Sequence, residues 1–466
     1  MNAPNPRDLP GVLVVLQRPE LDEVRGRHGR DTMVDAVRRA IDDARSKILR
    51  GERVSTDPSD LARAAARRLG DDRAGLRPVL NATGILLHTG LGRAPLAQEA
   101  VEAVAEVARG YCNLEVDLTT GERGHRATAV APLLCRLTGC EAAAVVNNNA
   151  GATVLALRAL ALGREVVVSR GQLIEIGGSF RLPEIFEVSG ARLREVGTTN
   201  RTRLSDYERA IGPETAVLLR VHPSNYRVVG FTESVGIAEL VRLGKSRGLA
   251  TVDDIGSGVM GSGLPLDNPF EPTAREGIEA GADLVLASGD KLLGGPQCGL
   301  LLGTKAAVSR VSADPLMRAL RVDKMTLAAL EATLRLALDP ERGRRRIPVW
   351  SFLNAPREEI RSRAEAIAQA LRDDPGLEAL AVDTKAYLGG GSLPAEPLPS
   401  AAVRISPATV GLCRSVSDWA KALRLGRPAV FARIQDGALL FDCRSLDPGE
   451  DARLIEAVRR LARDHS

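Results

Sequence analysis

Amines are scarce in this chain: Lys and Arg together number 63, yet only seven of these residues are lysines. Lys47, Lys245 and Lys421 fall among other charges in amphipathic stretches, the pattern of a solvated helix face. Lys305 follows an apolar run at a Gly-Thr turn, Lys385 precedes a Gly/Pro-rich stretch, and Lys324 sits among arginines. Lys291 is different. In ADLVLASGDKLLGGPQCGLLLG it comes just past the carboxyl end of an apolar, strand-like run, the end at which open α/β sheets bind ligands. Gly294-Gly295-Pro296 lets the backbone turn tightly beside a bound group. A single amine so placed suits the chemistry of pyridoxal phosphate, in which one lysine holds the cofactor as a Schiff base and then moves protons.

Two other segments fit the same chemistry. VVNNNAGATVLALRAL passes from strand to helix, so the backbone N–H groups of Asn149, Ala150, Gly151 and Ala152 would face an anion such as the cofactor's phosphate. An Asn-rich helix cap has the same appearance. ATVDDIGSGVM ends a strand in Asp253-Asp254, and a carboxylate facing a pyridine nitrogen keeps it protonated. Side chains alternate along a strand, so at most one of the pair can do this. Asn225, in HPSNY, lies between these segments, where aspartate-aminotransferase-like enzymes often bind the cofactor's phenolic oxygen. Phosphate loop, acidic strand end and lysine follow one another in the order of that enzyme group.

The elements that must position these residues are readable from hydrophobic periodicity. Strands are expected at 142–147, 165–169, 192–197, 216–222, 250–254, 282–288 and 299–303, with helical patterns such as 150–161 and 237–247 between them. That alternation predicts an α/β domain, a largely parallel sheet covered on both faces. Before it, residues 1–70 read as helical, with helices at 32–50 and 59–69, and 71–80 as a linker. The core is expected over 81–339 and a small α+β domain over 340–466. That last domain reads as a loop at 388–400, strands at 429–434 and 438–443 joined at Asp436-Gly437, and a closing helix at 451–463. No internal repeat is present.

Seven segments carry a family resemblance: NATGILLHTGLGRAPL, GYCNLEVDLTTGERGHR, SRGQLIEIGGSFRLPEI, EVGTTNRT, HPSNYRVVGFT, SGDKLLGGPQCG and LRVDKMTLAALEATLRL. Through them the chain resembles the bacterial selenocysteine synthases, the L-seryl-tRNA(Sec) selenium transferases. The opening LPGVLVVLQRPEL departs from the usual Leu-Pro-Ser-Val-Asp start of that family.

The resemblance implies an aspartate-aminotransferase-like (fold type I) transferase with pyridoxal phosphate on Lys291. Seryl-tRNA(Sec) would lose its β-hydroxyl to give an aminoacrylyl-tRNA, and selenide from selenophosphate would add to it. Of the acidic pair it selects Asp254, which directly precedes Ile-Gly-Ser-Gly, as the pyridine partner. Asp290 becomes an accessory acid/base or an orienting group for the lysine loop. Arg93, Arg318 and Arg321 become candidates for the selenophosphate dianion, which suits guanidinium forks. His125 and Arg126 belong to the neighbourhood of the site, and Gln172 to the face of the cofactor ring. Cys298 reads better as a buried strand thiol than as a selenium relay. The helical N-terminal domain would bind the tRNA, and the subunits would pair and assemble into a larger ring, a decamer in the family.

Composition adds bounds. Residues 1–80 carry 16 Lys and Arg against 13 Asp and Glu, a net of +3, and the whole chain only +4, so charge by itself points to no nucleic acid. The six cysteines form no C-x-x-C pair and no zinc-type cluster, which suits a reducing compartment. The start has no signal-peptide pattern and no run approaches a membrane span, so the cytoplasm is expected. Two other readings compete: a related lyase acting on a small phosphorylated amino acid, and a tRNA-binding protein without catalysis.

Overall fold

The computed structural model describes residues 5–52, 54–71, 75–176, 180–261, 271–373, 377–390, 392–406 and 415–463. The chain divides into two compact units, 1–78 and 79–466. The first is helical. Its long helices are α1 (Arg30–Leu49) and α2 (Pro58–Asp71). In α1, Met33, Val37, Ala40, Ile41 and Ala44 recur at helical spacing and form one apolar stripe. That stripe packs on Leu61, Ala62, Ala65 and Leu69 of α2, with Val15 and Leu21 closing the core. The charged residues face out, as in the exposed Arg38–Asp35 and Arg45–Asp42 pairs.

The second unit begins with β1 (Val79–Ala82) and continues into a seven-stranded sheet. The strands of that sheet are β2 (Ala142–Val146), β3 (Glu165–Ser169), β4 (Arg192–Val196), β5 (Thr215–Val221), β6 (Ala250–Gly256), β7 (Leu284–Ser288) and β8 (Gly299–Gly303). Their spatial order is β2-β8-β7-β6-β5-β3-β4. The five from β7 to β4 run parallel to one another, while β8 is antiparallel to both neighbours. The expected strands are therefore present, within two residues at each end, and the sheet is mixed at one place.

Helices α3 (Asn149–Ala161), α4 (Ile237–Arg247) and α5 (Lys324–Ala337) cover the sheet. Alternate strand residues go to opposite faces. Leu301, Leu286 and Val252 join α3 in one core, while Leu300, Leu302 and Val285 join Leu330 and Leu334 of α5 in another. Burial on both faces explains why these strands read as continuous apolar runs.

A second sheet follows, made by β9 (Ala379–Gly389), β10 (Ser392–Ile405), β11 (Ala429–Gln435) and β12 (Ala438–Asp442). Its order is β1-β11-β12-β10-β9, so β1, from the far end of the unit, forms its edge, parallel to β11. Val79 and Leu80 thus belong to a strand and not to the linker expected over 71–80. The core of this sheet is Leu80, Ala401, Val403, Val430 and Phe441 against helices α6 (Arg357–Arg372), α7 (Val416–Leu425) and α8 (Asp451–Arg463).

One expectation is overturned. Residues 388–389 and 392–400, expected in a loop, belong to strands: β9 and β10 pair through them, with Tyr387 opposite Pro397 and Lys385 opposite Pro399. Proline cannot donate to a ladder and is tolerated where only one side of a strand is paired. β12 pairs with β10 only over Ala402–Ile405, so Pro397 and Pro399 lie outside that second ladder.

Candidate active site

The carboxyl ends of β5, β6 and β7 and the start of α3 meet at a cavity of about 230 Å³. Lys291 lies in it, in the turn after β7 and three residues beyond Ser288, and is 5% exposed. Burial, then the charge of Arg93, holds its ammonium pKa below the ordinary lysine range, against the pull of Asp254, Asp290 and Glu271. Gly256 leaves room beside it for Ser224. At φ +63° the residue is left-handed, and a Cβ there would lie 2.8 Å from Ser224 Oγ and 3.9 Å from Lys291 Nζ.

Strand alternation separates the two aspartates as the sequence requires. Asp253 turns away and takes both ends of Arg220, Nε to Oδ1 and Nη2 to Oδ2, each at 2.7 Å. Asp254 lines the cavity. Its Oδ1 accepts from Asn149 Nδ2 at 2.9 Å and from the Gly256 amide at 3.1 Å, and its Oδ2 lies 2.9 Å from Thr153 Oγ1. Burial raises its pKa, and the hydrogen bonds from Asn149 and Thr153 and the charge of Lys291 counter that.

The start of α3 is arranged differently from a plain amide cradle. Asn148 is the cap: its Oδ1 accepts the Gly151 amide at 2.8 Å, and its carbonyl accepts that of Ala152 at 3.0 Å. Asn148, Asn149 and Ala150 line the cavity, whereas Gly151 and Ala152 do not. Gly299 of β8 packs against this turn; a Cβ there would sit 2.2 Å from the Asn148 carbonyl oxygen.

Arg93 arrives from the other sheet. Residues 84–87 run beside β9, with Leu86 and Leu87 donating to the carbonyls of Tyr387 and Leu388 and Tyr387 donating to that of Gly84. The chain then turns through Arg93, itself left-handed at φ +62°, and Arg93 Nη1 reaches Asp290 Oδ2 at 2.7 Å inside the cavity.

The other candidates lie elsewhere. Arg318 and Arg321 line a separate cavity of about 740 Å³ with His125, Arg126 and Glu115. Glu115 holds Arg126 at 2.7 Å and Arg321 at 4.0 Å. The turn between the two cavities is shared: Arg321 bridges to Val146, and the Leu320 carbonyl accepts the Asn147 amide at 2.8 Å. Gln172 lines a third cavity, of about 570 Å³, where its Oε1 accepts the Val221 amide at 3.1 Å. Asn225 donates to the Glu175 carbonyl at 2.8 Å and does not line the Lys291 cavity. Cys298 is fully buried beside Gly289, and burial pushes its thiol pKa up, away from thiolate chemistry.

Sequence reasoning missed His222, Ser224, Ser288 and Gln297, which line the Lys291 cavity, and Thr153 behind Asp254. The signal for His222 and Ser224 was position: both come within three residues after β5, as Asp254 lies near the carboxyl end of β6 and Lys291 follows β7.

The set fits pyridoxal phosphate. It offers one buried amine, one carboxylate ringed by donors, a helix start, and a buried Asn149 Oδ1 that no protein group satisfies. Among the described residues no three His, Cys, Asp or Glu side chains group to hold a metal, and no helix is long and apolar enough to cross a membrane.

Comparison with known proteins shows the family. The family model described as L-seryl-tRNA selenium transferase matches residues 79–447, and that described as selenocysteine synthase N terminal matches 6–45. The chain is 48% identical to the L-seryl-tRNA(Sec) selenium transferase of Moorella thermoacetica, over 97% of this chain and 96% of that protein. It is 47% identical to the one from Desulfomicrobium baculatum, over 98% of each. A solved D-glucosaminate-6-phosphate ammonia-lyase shares the fold at a TM-score of 0.58 and 22% identity, over 86% of this chain and 98% of that one. The fold is thus the α/β one expected from the sequence, a largely parallel sheet with a second, smaller sheet.

Proposed function

The chain belongs to the L-seryl-tRNA selenium transferase family, and from that membership we propose that it converts seryl-tRNA(Sec) to selenocysteinyl-tRNA(Sec) with selenophosphate, using pyridoxal phosphate at Lys291. The observation that carries the site reading is the buried Lys291 amine sharing one cavity with Asp254, Asp290 and Arg93.

Pyridoxal phosphate, when bound, supplies an electron sink that acidifies the α-carbon of serine and lets its β-hydroxyl leave. The chain's residues do the rest. Lys291 Nζ would hold the cofactor and would take the α-proton; its lowered pKa favours the neutral amine that both tasks need. Asp254 provides the counter-charge for a pyridine nitrogen. Asn148, Asn149 and Ala150 at the start of α3 would receive the phosphate. Asp290 either carries a proton for the leaving hydroxide or fixes the lysine turn; its bond to Arg93 supports the second role.

Arg93, Arg318 and Arg321 are the selenophosphate candidates, the first beside Lys291 and the other two beside His125 and Arg126. Gln172 and Asn225 remain candidates for the cofactor ring, reached through side-chain movement, since each is bonded to backbone and neither lines the Lys291 cavity. We assign tRNA binding to the helical unit 1–78, the remaining catalytic work to 79–466, the cytoplasm as the place of action, and an oligomer of paired subunits as the working form.

The lyase alternative has only a shared fold behind it, at 22% identity, whereas the transferase reading rests on relatives matched along almost the whole chain. The test is conversion of labelled seryl-tRNA(Sec) by cofactor-loaded protein, with and without selenophosphate. Selenocysteinyl-tRNA that forms only with selenophosphate supports the proposal; no conversion by loaded protein overturns it. Lys291→Ala should abolish both covalent cofactor attachment and turnover.

A further inference from the structure

Asn149 and Thr153 stand one helical turn apart on α3, so their side chains share one face, and both meet the carboxyl group of Asp254. We infer that they are positioning residues that act through Asp254, holding it as a carboxylate directed at the Lys291 cavity. The inference rests on the reading that pyridoxal phosphate occupies that cavity.

Three features carry it. First, Asn149 is not needed as a cap, because Asn148 already closes the helix through the Gly151 amide. Second, the Asn149 amide is oriented with Nδ2 on Asp254 Oδ1, which leaves its own Oδ1 buried and without a protein partner. The reversed amide would set oxygen against carboxylate oxygen. An NH2 group only donates, so this contact and the Gly256 amide on the same oxygen favour the ionised form.

Third, Thr153 Oγ1 lies 2.9 Å from both Asp254 Oδ2 and the Asn149 carbonyl, and it has one proton for two acceptors. Facing a carboxylate, it gives that proton to Oδ2. Thr153 is fully buried and β-branched, so its own side-chain angle is restricted and its hydroxyl is held against Asp254 Oδ2. The other charges facing Asp254 are Lys291, which favours ionisation, and Asp253, which opposes it and is matched by Arg220.

The experiment titrates the cofactor-free full chain with pyridoxal phosphate and follows the bound cofactor's absorbance across pH. Variants are Asn149→Ala, Thr153→Val, Thr153→Ser and Asp254→Asn, and each of the first two combined with Asp254→Asn. Asn149→Ala and Thr153→Val should each weaken cofactor binding about tenfold and shift the absorbance titration in the direction given by Asp254→Asn. Thr153→Ser, which keeps the hydroxyl, should restore the parent titration. Combined with Asp254→Asn, neither change should add to the loss, because contacts in one network are not additive. Parent-like affinity and titration in both single variants, or losses that add in full to that of Asp254→Asn, overturn the inference. If Thr153→Val fails to fold, Asn149→Ala and its double variant decide alone. Failure of the unaltered protein to capture the cofactor overturns the underlying reading; capture by it and equally by the variants overturns only this inference.

Discussion

Arg93 Nη1 lies 2.7 Å from Asp290 Oδ2, and Asp290 is the residue directly before Lys291. The two charges therefore act on the lysine with opposite sign: Arg93 lowers its pKa and Asp290 raises it. Arg93→Met should move the pH at which cofactor-free protein captures pyridoxal phosphate at half its maximal rate upward, because the neutral amine then forms only at higher pH. Asp290→Asn should move it downward. Capture rates measured from pH 6 to pH 10, a span of about four units around ordinary amine titration, read both shifts. Equal profiles would show that the pair does not tune the lysine.

Gly256→Ala should be costly in a specific way. The left-handed backbone opposes a side chain by roughly 1 kcal/mol, and the new methyl would press on Ser224 and approach Lys291 Nζ. We expect a modest loss of thermal stability and a large loss of covalent cofactor, read by absorbance after reduction with borohydride. A variant that folds and loads fully would place Ser224 outside the working site.

Arg318 and Arg321 line a cavity other than that of Lys291. If they receive selenophosphate, Arg321→Ala should raise KM for it by about tenfold or more, the worth of one charge-assisted hydrogen bond, while cofactor attachment is retained. A fall in kcat with unchanged KM would instead assign them to support of the turn that Leu320 makes with Asn147.

Unit 1–78 carries arginines on α1 and α2, several in exposed pairs with nearby aspartates. Removing residues 1–78 should abolish high-affinity tRNA binding while the remaining chain still captures pyridoxal phosphate. In the full chain, log Kd for the tRNA should rise linearly with log salt, with a slope set by the phosphates contacted. A salt-independent Kd would argue against arginine–phosphate contacts.

Much of this molecule is legible in its sequence because periodicity and burial coincide. β3, β8, α4 and α8 have the bounds their apolar patterns give, and the Asp253/Asp254 alternation forecasts which carboxylate enters the cavity. What escaped is what depends on partners far along the chain. Nothing local in Gly299–Gly303 says that β8 runs antiparallel, or in Val79–Ala82 that the strand joins a sheet of the last hundred residues. Asn149 looked like a backbone donor, yet its side chain serves Asp254, a contact formed only when β2 and β6 share one sheet. Prolines made 388–400 resemble a loop, since the one-sided pairing that tolerates Pro397 and Pro399 is not visible before the ladder is.

β1 also sets a timetable. Val79 leaves the ribosome long before Ala429, its ladder partner, and Ser445 must arrive later still to bond the Gly84 amide and the Asn81 carbonyl. The segment from β1 to Arg93 thus has no fixed seat while the chain is being made. Lys291 and Asp254 can come together in the nascent protein, but the guanidinium that pairs with Asp290 is delivered last. Completion of the reaction site is thereby linked to completion of synthesis, and a chain truncated before its final strands would hold Asp290 beside the lysine without the guanidinium that pairs with it.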